Sequence, residues 1–107
     1  MDLAFLLSNA LLFVAEAAKY YDVNEKPINS YITKQHVVIL SSKRIFIYYF
    51  DQYIDIKYDY FSNFDVQASS ESHSLCIESQ LNHQQFDINF NSSTDYENFM
   101  MYYEKYR

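Results

Sequence analysis

Ile54-Asp55-Ile56-Lys57-Tyr58-Asp59-Tyr60-Phe61-Ser62-Asn63-Phe64-Asp65-Val66 (IDIKYDYFSNFDV) alternates apolar and polar residues up to Tyr58, stops over Asp59 to Ser62, and alternates again from Phe64. Strict alternation over four or more residues is the mark of a half-buried strand. A break of about one turn, followed at once by the same period, reads as two strands joined at a corner. Tyr60 or Phe61 then closes the interior at the bend. The chain has no Gly and one Pro, Pro27. Its turns therefore fall to Asn, Asp and Ser, whose side chains hydrogen-bond to their own backbone.

The strand signal spreads outward from this corner. Upstream, Tyr53, Asp55 and Lys57 take one face and Ile54, Ile56 and Tyr58 the other. Arg44 to Phe50 (RIFIYYF) is apolar nearly throughout, as for a strand covered on both faces. Turns fall at Ser41-Ser42-Lys43 and Asp51-Gln52. Ser30 to Ser41 (SYITKQHVVILS) is strand-rich with a polar centre at Lys34-Gln35-His36. Downstream, Ala68 to His73 is a polar loop. Ser74 to Ser79 and Gln85 to Asn91 form a hairpin, with Leu75, Ile77, Phe86, Ile88 and Phe90 facing in.

The C-terminal end predicts a helix. Thr94-Asp95-Tyr96-Glu97 fits a capping box, and Tyr96, Phe99, Met100, Tyr103 and Tyr106 fall on one helical stripe. The N-terminal end is ambiguous. Leu3 to Leu7 suits a short helix that Asn9 would end. In Leu11 to Tyr21 the Ala and Glu residues favour helix, while Phe13-Val14 and Tyr20-Tyr21 favour strand. Asp22 to Pro27 is a connecting loop. The expected fold class is α+β: a strongly bent antiparallel sheet or partly open barrel of six to seven strands, capped by the C-terminal amphipathic helix. All 107 residues are expected to form one domain.

This order resembles the pleckstrin-homology-like superfamily, closest to small bacterial pleckstrin-homology domains and GRAM domains, over residues 11–106. Leu11 to Ala17 resembles the family's early strand. Tyr31-Ile32-Thr33-Lys34-Gln35-His36-Val37-Val38-Ile39-Leu40-Ser41 is similar to its xITxxRLxxxS strand, and residues 54–66 to its xIPLDxIxxVxV segment. Phe86 to Tyr106 resembles its closing FxFxxxxDAxxFxxxLxxY, with Asp95, Phe99 and Tyr103 in place. The family's usual Arg is replaced around Gln35-His36, and its glycines are missing. The resemblance implies the fold but carries no ligand site, because such folds bind lipids, peptides and proteins alike.

The chain holds 14 acidic and 8 basic residues, net charge −6. Nucleic acid and anionic membranes need concentrated Lys and Arg. Here only Lys43-Arg44 is a pair, so direct binding to either is not expected. One cysteine, Cys76, excludes an internal disulfide and suits the cytoplasm. MDLAFLLSNALLFVAEA shares an apolar run and Ala15-Glu16-Ala17 with secretory signals. Asp2 stands where a positive charge belongs, however, and Ser8-Asn9 interrupts the run. No stretch reaches 18 uninterrupted apolar residues, so no membrane-spanning helix is expected.

Catalytic and metal-binding patterns are weak. His73-x-x-Cys76 with His83 lacks a fourth zinc ligand. Cys76 needs a base and an orienting group to act as a nucleophile. Asp51, Asp55 and Asp59 share a helical spacing in a stretch that reads as strand and turn. There is no glycine-rich phosphate loop. Asn91-Ser92-Ser93 matches a glycosylation acceptor only by pattern. No catalytic residue, metal or cofactor is expected, and the chain is not expected to be an enzyme.

The tyrosines, 12 in all, are the strongest surface signal. Tyr20, Tyr21, Tyr48, Tyr49, Tyr53, Tyr58, Tyr60, Tyr102 and Tyr103 are too many to bury easily, and Tyr is favoured at protein interfaces. Tyr49, Asp51, Tyr53 and Asp55 form the expected protein-binding patch. The expected function is non-catalytic protein binding, as a small bacterial or phage accessory or adaptor protein, with homodimerisation through a strand edge compatible with the pattern. One alternative is an acidic inhibitor occupying the nucleic-acid site of a host enzyme. A second is lipid-headgroup binding, which predicts a basic pocket near Lys34, Lys43 and Arg44.

Overall fold

The computed structural model describes residues 3–49 and 52–106. In chain order these form α1 (Leu3–Ala18), β1 (Pro27–Ile32), β2 (Val37–Ser41), β3 (Arg44–Tyr49) and β4 (Gln52–Lys57). A 3-10 turn (Tyr58–Asn63), β5 (Phe64–Ser69), β6 (Ser74–Ser79), β7 (Gln85–Asn89) and α2 (Ser93–Tyr106) complete the chain. Among the described residues there are two antiparallel meanders, β1-β2-β3-β4 and β5-β6-β7. They do not close into one barrel, so the α+β class holds while the single bent sheet becomes two.

The 3-10 turn is the corner between them. Phe61 is buried there, against Tyr58 at 5.8 Å, Phe64 at 6.1 Å and Tyr103 at 5.4 Å, while Tyr60 is exposed. The Phe64 amide donates to the Phe61 carbonyl and ends the turn as β5 begins. The main core lies between the sheets. Val38, Leu40, Ile45, Ile47 and Ile56 meet Leu75, Ile77 and Ile88, and Phe99 and Tyr103 of α2 join them. On α2, Tyr96, Phe99 and Tyr103 of the expected stripe are buried.

The alternate residues of β2 and β3 point the other way. Val37, Ile39, Phe46 and Tyr48 form a second core with Leu6 and Ala17, flanked by Ala10, Phe13 and Val14. That explains why β2 and β3 are apolar on both faces. It also corrects the N-terminal expectation: Leu11 to Ala17 is helix, not an early strand. Leu6, Ala10, Phe13-Val14 and Ala17 recur every three to four residues, so only a helix can lay them all on one sheet. Asn9 does not end α1. Its Nδ2 donates to the Phe5 carbonyl one turn back, at 2.9 Å.

Two further boundaries differ from expectation. Residues 30–41 make a hairpin rather than one run, and β1 already begins at Pro27. Buried Thr33 builds the turn: its Oγ1 accepts from the His36 amide and donates to the His36 carbonyl, both at 3.0 Å. The α2 cap is Ser92, whose Oγ accepts from the Asp95 amide at 3.1 Å. The Thr94–Glu97 box lies inside the helix because Ser92 takes the free amide first. In place of glycine, Asn24, His73 and His83 adopt positive φ (70°, 51° and 58°) at turns, a region where Asn and His are enriched.

Candidate functional site

The described residues of the expected patch divide between the two faces of the four-stranded sheet, and Tyr49 and Tyr53 meet at one cleft. Tyr49 is followed in β3 and β4 by Tyr48↔Tyr53 and Phe46↔Asp55 pairs, so Tyr53 and Asp55 share the α1 side of the sheet. Tyr53 packs on Tyr48 at 5.2 Å, Tyr20 at 5.6 Å and Phe46 at 6.0 Å. Tyr49 points to the opposite side, against His36 at 5.4 Å. Asp51 lies outside the described residues. Of the nine tyrosines read as too many to bury easily, Tyr48 and Tyr103 are buried, and Tyr20, Tyr49, Tyr53 and Tyr60 are exposed.

Asp55 has a structural partner. Buried Arg44 donates from Nη1 to Asp55 at 2.9 Å, and from Nε and Nη2 to Glu25 at 3.0 and 2.8 Å. Its Nη2 also reaches the Tyr20 carbonyl at 2.9 Å. Ser41 Oγ and the Asp22 amide donate to Glu25 as well. Burial raises the Glu25 pKa, but these hydrogen bonds, that of Arg44 foremost, outweigh it and hold the carboxyl below its ordinary value. The cluster ties the loop after α1 to the four-stranded sheet. It also removes Arg44 from any headgroup pocket. Lys34 lies in the β1–β2 turn and Lys43 in the β2–β3 turn, at opposite ends of β2. The three cations that lipid binding calls for are not brought together.

A different site emerges at the loop end of the four-stranded sheet. β7 crosses there, its Asn89 carbonyl accepting from the Lys34 amide at 3.1 Å. A groove of about 340 Å³ separates β7 from the sheet's turns. Gln84, Gln85, Phe86 and Asp87 form one wall; Gln35, His36, Tyr49 and Gln52 form the other. A smaller cleft of about 90 Å³ continues it along Gln52, Tyr53 and Ile54 of β4. Among the described residues of the expected patch, Tyr49 lines the larger groove and Tyr53 the smaller cleft.

His36 gives this groove its chemistry. It is only 6% exposed, and its Nδ1 has no hydrogen-bond partner among the described residues. Burial lowers its pKa below the usual 6.5, although Asp87 pulls the other way. The ring is thus neutral at neutral pH, with one nitrogen able to accept a hydrogen bond. A buried polar atom left without a partner costs about 1–3 kcal/mol. Buried Tyr48 Oη also lacks a partner, but it is sealed under Phe13, stacked at 4.7 Å.

The remaining sequence candidates are dispersed. His73 and His83 sit at opposite ends of β6, beyond Ser74 and Ser79. Cys76 pairs in register with Gln67 and Asp87 on the outer face of the three-stranded sheet. Burial and Asp87 push its thiol pKa up, which keeps the sulfur protonated and weakly nucleophilic. No group of three or more His, Cys, Asp or Glu is placed to hold a metal among the described residues. No helix among them is long and apolar enough to cross a membrane. Compared with known proteins, the chain matches no family model, no curated protein and no solved structure.

Of the residues lining the groove, sequence reasoning missed Gln35, His36, Gln52, Gln84, Gln85, Phe86 and Asp87. The one available signal was the recurrence of Gln at strand ends, Gln35, Gln52 and Gln84-Gln85, which no periodicity singles out.

Proposed function

We propose that this chain is a pleckstrin-homology-like domain that binds protein, without catalysis, through the groove between β7 and the turns of the four-stranded sheet. The family part rests on element order. A four-stranded meander, a three-stranded meander and a C-terminal helix packed on both support it, although Leu11 to Ala17, an early strand in the resemblance, is helix here. The binding part rests on one observation above the rest: a groove rimmed by four glutamines, Gln35, Gln52, Gln84 and Gln85, with the largely buried His36 in its wall. Neutral amides offer donors and acceptors together, which suits peptide groups better than phosphates. Tyr49 and Phe86 add apolar area of the kind that anchors protein contacts.

Site-specific photocrosslinking tests this reading. A benzophenone side chain replaces exposed Gln84, and a control replaces exposed Met101 on α2. In lysate of the native host, the groove probe is expected to give a discrete protein adduct and the control none. Adducts to nucleic acid or lipid, or equal labelling from both positions, would sink the proposal.

A further inference from the structure

We infer that the occupant of this groove is an extended segment of a partner protein, added as a strand to the free edge of β7. The inference rests on the protein-binding reading and makes it specific.

The ladder phase of β7 carries the argument. In the β6–β7 register, Cys76 faces Asp87 and Glu78 faces Gln85. The Ser79 amide donates to the Gln84 carbonyl at 2.9 Å, and the Phe90 amide donates to the His73 carbonyl at 3.0 Å. Antiparallel pairs alternate between bonded and non-bonded positions. Gln84, Phe86, Ile88 and Phe90 therefore direct their backbone groups at β6. Gln85, Asp87 and Asn89 direct theirs outward. The bond from the Lys34 amide to the Asn89 carbonyl confirms the phase independently. Gln85 and Asp87 are left with outward backbone groups that have no backbone partner among the described residues, and both residues line the groove.

This edge is a template for a short strand. Lys34 closes its Asn89 end, so pairing spans Gln85 to Asp87, about 10 Å at ~3.3 Å per residue. Roughly three residues of the partner pair there. The groove also states their chemistry. Among the described residues that line the groove, Asp87 is the one formally charged, given a neutral His36. A Lys or Arg of the partner belongs opposite Asp87, where an opposite-charge cross-strand pair is favourable. Phe86, half-buried between groove and core, offers an apolar contact.

The test starts from heptapeptides selected by display on the full chain, with the enriched sequence synthesised as the probe. N-methylation at every second peptide position is expected to weaken binding about tenfold, the loss of one or two hydrogen bonds. The intervening positions are expected to tolerate it. The Gln85 and Asp87 amides should exchange more slowly when the peptide is bound. Gln85→Pro removes an outward amide, which an edge strand accepts, and should weaken binding about tenfold more than Gln85→Thr, which loses the same side chain but keeps that amide. A probe whose N-methyl scan has no period of two, or whose chemical shifts change away from β7, overturns strand addition and leaves protein binding standing. Enrichment of no peptide, together with equal photocrosslinking from Gln84 and Met101, removes both. A dimer of the chain joined edge to edge through β7 in sedimentation and amide exchange assigns the edge to a second copy, and overturns the inference.

Discussion

Arg44 stands at the first position of β3 with Glu25, Asp55, Asp22 and the Tyr20 carbonyl converging on its guanidinium. The two carboxylates that touch it most closely differ in environment. The Glu25 side chain is fully buried, while that of Asp55 is 40% exposed. Breaking a buried pair leaves an uncompensated charge and costs about 3–5 kcal/mol; an exposed one costs up to about 1 kcal/mol. Glu25→Ala is therefore expected to lower the urea midpoint severely and Asp55→Ala only slightly. The Glu25 pKa is depressed by folding, so its contribution is complete above the unfolded value near 4.5 and fades as pH falls through the folded value. Acid titration of the parent should show that loss, and Glu25→Ala should flatten it. His36 has the same sign by a different cause. Burial holds its pKa under 6.5, so below that pH the unfolded chain takes a proton that the folded chain resists. Stability should fall as pH drops from about 6.5, and His36→Gln should remove that part of the slope in denaturant melts.

At the scale of elements, what decided each boundary was whether its cause was local. The corner at residues 58–63 was legible because alternation on both sides bracketed it, and Phe61 sits inside as the pattern required. β3 was legible because its doubly apolar sequence reads as a strand covered on both faces. α1 was not, because Leu11 to Tyr21 mixes helix and strand formers and tertiary burial decides between them. Leu6 and Ala17 reach the sheet only from a helix. The β1–β2 turn rests on the Thr33 hydroxyl, which no period detects. The α2 cap shows the same rule on a finer scale. Thr94 and Ser92 both begin plausible caps, and the geometry selects Ser92. Ser92→Ala should cost about 1 kcal/mol by thermal or urea unfolding, within a usual range of roughly 0.5–2 kcal/mol. Thr94→Ala should change little, and the reverse result would restore the box at Thr94–Glu97.

At the scale of the whole molecule, the groove was invisible in sequence because three distant segments build it: residues 35–36, Tyr49 with Gln52, and residues 84–87. Each is unremarkable alone. The patch of Tyr49, Asp51, Tyr53 and Asp55 looked continuous because its residues are near in sequence, but a strand sends neighbours to opposite faces. The same alternation produces the layered architecture. α1 covers one face of the four-stranded sheet, and the three-stranded sheet with α2 covers the other. The sheet that supports the groove is therefore held from both sides, and α1 is part of the fold, not an appendage to it. Two leucines of α1 separate these views. Leu6 is 0% exposed against the sheet, while Leu11 is 84% exposed on the opposite side of the helix. Leu6→Ala should destabilise the whole chain by about 2–5 kcal/mol, as cavities in packed cores do. Leu11→Ala should stay within about 0.5 kcal/mol of the parent. Both are read from one cooperative urea transition, because loss of α1 would expose Val37, Ile39, Phe46 and Tyr48 together. Equal, small effects would mean that α1 does not bury this face in solution, and the support for the sheet beneath the groove would have to come from the main core alone.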